Sequence, residues 1–157
     1  MTATESRLET MAERVRGLGY RMTPQRLAVL RVLANSREHP SVEDIYDEVK
    51  ADFPMTSLAT IYKTVTLLKE IGEVMELHVG GGRNRYDGRR PDPHPHLICL
   101  HCGEILDPDI ATVDSLPDEL VRETGYQIVG QRLDFFGVCP ACQAARAEAD
   151  AAEEASA

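Results

Sequence analysis

The chain has 157 residues, of which 43% are hydrophobic and 27% are charged. This composition is typical of a globular protein with one medium domain or two small ones. No apolar run approaches the roughly 18–20 residues that a membrane span needs, and the polar N-terminus lacks the apolar core of a signal peptide. We therefore expect a cytoplasmic protein that is neither secreted nor embedded in a membrane.

The formal net charge of -9 does not exclude nucleic acid as a partner, because the charges are unevenly distributed. Six arginines and no acidic residue lie between Arg14 and Arg37. After residue 82, Lys and Arg number 7 against 14 for Asp and Glu. The acidic chain thus carries a basic N-terminal face, which is compatible with DNA binding.

The first predicted helix covers residues 6–18, where four apolar residues recur at spacings of three and four and form one stripe. These residues are Leu8, Met11, Val15 and Leu18.

Three further helices are predicted from capping signals. Thr23 precedes Pro24, which suits a cap followed by proline in the first turn. Ser41 is followed by two acidic residues in the next turn, and Ser57 precedes an apolar-periodic segment that Gly72 can end.

Short segments at 74–79 and 84–87, joined by three glycines, predict a β-hairpin. Four helices and a hairpin describe a winged helix-turn-helix domain over residues 1–88.

The second half predicts a smaller domain. Residues 88–95, GRRPDPHP, are rich in Pro and Gly, and residues 89–95 are interpreted as a hinge. Residues 96–143 predict short strands around a CxxC pair, a helix at 112–124 and a strand at 127–138. Residues 144–157 form an acidic tail of mostly Ala and Glu, to which we assign no function.

All four cysteines lie in CxxC pairs, Cys99 with Cys102 and Cys139 with Cys142. Two such pairs suit a tetrahedral zinc site with four thiolate ligands, which leaves no open position and is therefore structural. The alternatives are free core cysteines or two redox pairs, but thioredoxin-type chemistry needs a βαβ context that is absent. The sequence therefore predicts a structural Zn²⁺ site.

A second group of potential ligands contains histidines and carboxylates. His94 and His96 alternate along an extended segment, so both rings should point to the same side. Asp87 precedes them, Asp107 follows the first CxxC pair, and His39 precedes the third helix. Nitrogen and oxygen donors of this kind suit Fe²⁺ or Mn²⁺ and could accept Zn²⁺.

With these features together, the sequence closely resembles the ferric uptake regulator (Fur) family. The resemblance covers roughly residues 15–142 and rests on several motifs together. They are RMTPQR at 21–26, HPSVEDIY at 39–46, SLATIY at 57–62, HPHLICLHCG at 94–103 and GVCPAC at 137–142.

The resemblance implies a homodimer of the α+β class, with an N-terminal winged helix-turn-helix domain and a C-terminal α/β dimerisation domain. It also implies a repressor whose regulatory metal lies at the hinge. The implied ligands are His39 and Asp87 from the DNA-binding half and His94, His96 and Asp107 from the rest.

Within the family, the chain is most similar to the peroxide-sensing branch, which has aspartate at the positions of Asp87 and Asp107. Iron-uptake members tend to have glutamate there. Iron-uptake members also have an accessory metal site, and this site is disrupted in the present chain. Here Pro93 and Pro95 precede the hinge histidines, and Gln131 stands where those members have a histidine.

For the peroxide branch, the resemblance implies that bound iron reacts with hydrogen peroxide and oxidises a ligand histidine, here His39 or His94. The alternative within the family is a regulator that senses sufficiency of iron or another metal. An alternative outside it is a metalloenzyme built on the His/Asp cluster, although the sequence offers no separate catalytic base.

Residues 57–70 are the candidate recognition helix. Tyr62 can contact thymine methyl groups in the major groove, although a half-buried structural role is the alternative. Lys63 and Arg26 suit phosphate contacts, and the resemblance implies that Arg21 reaches the minor groove of an A·T-rich site. The residues of this helix expected to face DNA are Ser57, Ala59, Thr60, Tyr62, Lys63 and Thr64.

Overall fold

The computed structural model describes residues 3–156. The described residues form two compact units that divide between Asp92 and Pro93, called here the N-terminal unit and the C-terminal unit. Across the described residues, no helix is both long enough and apolar enough to cross a membrane.

The N-terminal unit contains four helices followed by a two-stranded antiparallel hairpin, as the sequence predicts. The elements are α1 (Ala3–Gly17), α2 (Pro24–Asn35), α3 (Val42–Asp52), α4 (Leu58–Glu70), β1 (Met75–Val79) and β2 (Arg83–Asp87).

The predicted capping residues begin three of these helices. Thr23 and Ser57 each accept a hydrogen bond from a backbone N–H three residues later, at 3.2 Å. Ser41 accepts from the backbone N–H of Asp44, whose carboxylate accepts in return from the Ser41 backbone at 2.8 Å. Hydrogen bonds from Ser41 lower the pKa of Asp44. This reciprocal capping fixes the start of α3, directly after the segment that contains His39.

A continuous apolar core holds the four helices together, and burial of this area is the main favourable term in folding. Its completely buried side chains are Met11, Val15, Val29, Leu30, Leu33, Ile45, Ile61 and Leu68. The expectation that Leu18 belongs to the stripe of α1 is wrong, because α1 ends at Gly17 and Leu18 is 47% exposed.

The hairpin brings Asp87 beside the helical core. Gly81 and Gly82 adopt φ values of 91° and 93°, which glycine tolerates at a tight turn. The register pairs Met75 with Asp87 and Val79 with Arg83. Gly88 then follows against α2, where a Cβ atom would lie 2.7 Å from the Cβ of Leu33. The chain after Asp87 is thus tightly packed and needs glycine at this position.

The C-terminal unit has a three-stranded sheet in the order β4-β3-β5, with β3 antiparallel to β4 and parallel to β5. Its elements are β3 (Pro95–Cys99), β4 (Ile105–Leu106), α5 (Ala111–Asp114), α6 (Leu116–Thr124), β5 (Leu133–Gly137) and α7 (Pro140–Ser156).

Two predicted elements of this unit differ from the structure. The helix expected at 112–124 is divided at Ser115, because Pro117 has no backbone N–H with which to continue the preceding turn. The strand expected at 127–138 is limited to Leu133–Gly137, the part that pairs with β3. Residues 144–156 of the acidic tail are helical as the end of α7, since Ala and Glu are strong helix formers.

Candidate metal centres and DNA-contacting surface

The four cysteines meet where β3 ends and α7 begins. Their sulfur atoms all lie within 4.8 Å of one another, and none forms a disulfide. The separation between Cys102 Sγ and Cys139 Sγ is 3.8 Å, close to the roughly 3.8 Å between sulfurs that a tetrahedron with Zn–S distances of about 2.3 Å requires. The predicted cysteines therefore form a compact group with the donor chemistry and the spacing of a zinc site.

Backbone hydrogen bonds around the cysteines help to hold their sulfur atoms in this arrangement. Gly103 has a φ of 75° and donates to the Cys99 carbonyl at 3.0 Å, which closes the first CxxC turn. The backbone N–H of Cys139 donates to Cys99 Sγ at 3.3 Å. Hydrogen bonds from the backbone at Cys102 and Cys139 lower the pKa of Cys99 to about 6. By contrast, the neighbouring Cys139 thiol raises the pKa of Cys142 to about 12.

These opposite shifts have a simple cause. Four sulfurs this close together cannot all carry negative charge unless a cation lies among them. Backbone donors lower the pKa of Cys99, whereas the neighbouring Cys139 thiol raises the pKa of Cys142. The group thus has the electrostatics of a cation site.

In the N-terminal unit, His39 and Asp87 form a buried pair, called here the N-terminal half-site. His39 Nε2 lies 3.4 Å from Asp87 Oδ2, and each side chain is only 3% exposed. The hairpin positions them, because the backbone N–H of Tyr86 donates to the Pro40 carbonyl at 3.0 Å. The two residues that sequence analysis assigns to this half of the metal site therefore lie together.

His39 has an unusual backbone conformation, with a φ of 52°. Such a left-handed conformation costs a non-glycine residue on the order of 1 kcal/mol. Arg85 offsets this cost, since its guanidinium donates to the His39 carbonyl and, at 2.6 Å, to the Glu38 carbonyl. Strained backbone at a buried ligand-type side chain is typical of a functional position.

The orientation of Asp87 is also fixed by the backbone. Its Oδ1 atom accepts from the backbone N–H groups of Arg89 and Arg90, both at 2.9 Å. Arg7 of α1 donates to the Gly88 carbonyl at 2.8 Å. With Oδ1 held in this turn, Oδ2 is the oxygen directed towards His39.

In the C-terminal unit, His94, His96 and Asp107 form a second group, called here the C-terminal half-site. His94 Nε2 lies 3.5 Å from Asp107 Oδ2, and His96 Nε2 lies 3.8 Å from Asp107 Oδ1. The two ring centroids are 4.3 Å apart. The prediction that alternation along an extended segment places both rings on one side is therefore confirmed.

Asp134 also lies against this group, although the sequence does not predict it. Its Oδ1 atom lies 3.3 Å from His96 Nδ1, and its Oδ2 atom lies 2.9 Å from Arg132. No local sequence signal marks it, because His96 and Asp134 become neighbours only through the parallel pairing of β3 with β5.

The candidate DNA-contacting surface lies on α4 and the start of α2. Tyr62 is 47% exposed and Lys63 is also exposed, as expected of residues that face DNA. Arg21 is exposed, and the half-buried Arg26 donates to its carbonyl. Thr60 and Ser57 share a hydrogen bond of 3.0 Å at the start of α4.

The expectation that Thr64 is available to DNA is wrong. Its side chain is 2% exposed, and its hydroxyl donates to the Thr60 carbonyl at 3.0 Å. Such a back-bond within a helix satisfies a buried threonine hydroxyl.

Comparison with known proteins decides the family. The sequence pattern of the ferric uptake regulator family matches residues 17–136. The chain belongs to the ferric uptake regulator family. It is therefore a metal-dependent transcriptional regulator of the Fur class and not an enzyme, which excludes the metalloenzyme alternative.

Individual relatives agree with this assignment. A peroxide-responsive repressor, PerR, of Staphylococcus aureus is 37% identical over 142 residues, covering 88% of this chain and 93% of its own. The Helicobacter pylori ferric uptake regulator is 26% identical, with a TM-score of 0.76 over 89% of this chain and 93% of that one. The Campylobacter jejuni peroxide stress regulator is 29% identical, with a TM-score of 0.66 and coverages of 84% and 95%. The predicted α+β fold class is confirmed.

Proposed function

We propose that the chain is a cytoplasmic, dimeric repressor that senses peroxide through a metal bound by its histidines and aspartates. The observation that carries the proposal is the presence of aspartate at both carboxylate positions, Asp87 and Asp107, each beside a buried histidine within its own unit. The similarity to a peroxide-responsive repressor over 88% of the chain supports the same assignment.

The four cysteines would hold a structural zinc ion. Thiolates prefer Zn²⁺ among the common divalent ions, and four protein ligands leave no position for a substrate. The group connects the end of β3 with the start of α7, so that binding of the ion contributes directly to folding of the C-terminal unit.

The regulatory site would combine the two half-sites. His39 and Asp87 supply one part, and His94, His96 and Asp107 supply the other. Three imidazoles and two carboxylates form a donor set that suits Fe²⁺ or Mn²⁺. We infer that one ion shared by the two groups fixes the angle between the units about the hinge at 89–95, so that both recognition helices of a dimer can enter successive major grooves.

A ferrous ion bound there would catalyse the transfer of one oxygen atom from hydrogen peroxide to a ligand imidazole, the other oxygen leaving as water. The histidines of interest are His39 and His94. An oxidised ring loses its ability to donate a lone pair in the same geometry, so the two half-sites would separate and the repressor would leave its operator.

The C-terminal unit offers a surface for a second copy of the chain. Leu97, Leu106 and Phe135 are cross-strand neighbours on one face of its small sheet, and they are between 42% and 57% exposed. Clustered aromatic and aliphatic side chains of this kind are typical of homodimer interfaces. This face supports the proposal that the C-terminal unit carries dimerisation.

DNA binding is tested by retardation of A·T-rich palindromic duplexes with the Mn²⁺-loaded protein. We expect Tyr62→Ala to weaken binding to the operator by about tenfold to a hundredfold and to relax its sequence preference, because it removes an apolar base contact. Lys63→Ala should weaken binding to all duplexes alike and reduce the salt dependence. The control is Tyr126→Ala, an exposed tyrosine in the C-terminal unit. Failure to retard any such duplex in any metal state would contradict the DNA-binding role.

Peroxide sensing is tested on iron-loaded protein prepared without oxygen. After brief exposure to hydrogen peroxide, we expect a gain of one oxygen atom on the peptide that contains His39 or His94, together with loss of DNA binding. Protein loaded with Mn²⁺ is the matched control and should gain no oxygen. An unmodified iron-loaded protein that still releases DNA when iron is removed would favour the alternative, a sensor of metal sufficiency.

A further inference from the structure

The side chain of Asp134 lies against His96 because of the sheet register. The parallel pairing of β3 with β5 places His96 directly opposite Asp134. The resulting distance between His96 Nδ1 and Asp134 Oδ1 is 3.3 Å, and the side chains are 1% and 16% exposed. A carboxylate so close to a buried imidazole has little competition from water.

This contact determines which nitrogen of His96 can bind a metal. An ionised carboxylate can only accept a hydrogen bond, so Nδ1 of His96 must carry the proton that it donates. The lone pair of the neutral ring is then on Nε2. Nε2 is the nitrogen that lies 3.8 Å from Asp107 Oδ1, on the side of the C-terminal half-site.

Asp134 is itself held in place. Its second oxygen, Oδ2, accepts from the Arg132 guanidinium at 2.9 Å. Arg132 and Asp134 are two residues apart, so their side chains extend from the same side of the extended chain. The carboxylate thus has one oxygen on His96 and the other on a cation, which limits its rotation.

We propose that Asp134 is a positioning residue for the regulatory metal, selecting the tautomer of His96 and fixing its ring so that Nε2 presents a lone pair to the ion. The inference rests on the proposed regulatory site. A carboxylate that accepts from the distal nitrogen of a ligand histidine orients the ring and increases its basicity, and its loss typically weakens metal binding by about 10- to 100-fold. Arg132 would act through Asp134, with a smaller effect.

The test compares Mn²⁺ affinity of the full-length, zinc-loaded protein and its variants in the absence of oxygen. We expect Asp134→Ala to raise the Kd for Mn²⁺ by about 10- to 100-fold. Asp134→Asn keeps an acceptor but loses the charge, so its Kd should lie between those of the wild type and the alanine variant. Asp134→Glu should restore most of the affinity. Asp150→Asn, an exposed carboxylate on α7, is the matched control.

Two further measurements separate positioning from a merely structural role. Zinc content and the Tm of the Mn²⁺-free protein should be unchanged in Asp134→Asn. The absorption spectrum of the Co²⁺-loaded variant should shift, because the geometry of one ligand, His96, changes. If the alanine variant unfolds or loses zinc, the asparagine variant decides the question. Unchanged Mn²⁺ affinity and an unchanged Co²⁺ spectrum would overturn this inference alone. Failure of the wild type to bind either ion would overturn both this inference and the proposed regulatory site.

Discussion

Replacing Cys99 with serine is expected to remove zinc and dimerisation together. Cys99 is 5% exposed at the end of β3, and its sulfur accepts a hydrogen bond from the backbone of Cys139 at 3.3 Å. Serine places a hard, protonated hydroxyl where the site needs a soft thiolate. The remaining thiols would then lack the cation that allows them to ionise side by side.

The loss should be large, because the C-terminal unit has little else to hold it together. Among its described residues, the buried apolar side chains are Pro95, Ile98, Cys99 and Ile105. A unit of this size with so small a core depends on a metal for its stability. We expect zinc content to fall from about one ion per chain to nearly none, and the Tm of the C-terminal unit to fall by more than roughly 10 °C.

The measurements are metal analysis, thermal unfolding and the molar mass in solution. The matched control is His101→Asn, which changes an exposed residue between Cys99 and Cys102 without removing a thiol. A Cys99→Ser protein that is free of zinc but still dimeric would show that the cysteine group is not structural.

The features predicted from sequence are those determined by neighbouring residues. A capping serine and its partner three residues later are local, so the starts of α3 and α4 follow from the sequence alone. The two CxxC pairs also identify their own site, because each pair presents both sulfurs from one turn. The prediction that His94 and His96 face the same way depends on the alternation of an extended chain.

The features that were not predicted depend on tertiary pairing. Asp134 is 38 residues from His96, and only the register of two parallel strands brings them together. Likewise, the strand expected at 127–138 begins only at Leu133, opposite the first residue of its partner β3, which its own sequence does not specify. The helical pattern predicts Thr64 on the exposed face of α4, whereas the structure buries it at 2% exposure.

Loss of a ligand from either half-site should weaken metal binding by a similar factor, if one ion joins them. Loss of a residue that only orients a ligand typically lowers metal affinity by about 10- to 100-fold. Loss of a ligand itself should therefore raise the Kd for Mn²⁺ by more than ~100-fold. We therefore expect large and similar losses in His39→Ala and His94→Ala, although His39 belongs to the N-terminal unit and His94 to the C-terminal unit. Both variants should also lose operator binding that depends on Mn²⁺.

The double variant tests the shared ion most directly. Two ligands of one ion act as a unit, so their combined loss should be much smaller than the product of the separate losses. Two independent ions would instead give a stoichiometry that falls by one ion for each variant. His78→Ala is the control, because His78 pairs with Asn84 on the hairpin, outside both half-sites. A His39→Ala protein that binds Mn²⁺ as tightly as the wild type would assign the regulatory metal to the C-terminal unit alone. This result would contradict the proposal that a shared ion fixes the angle between the units.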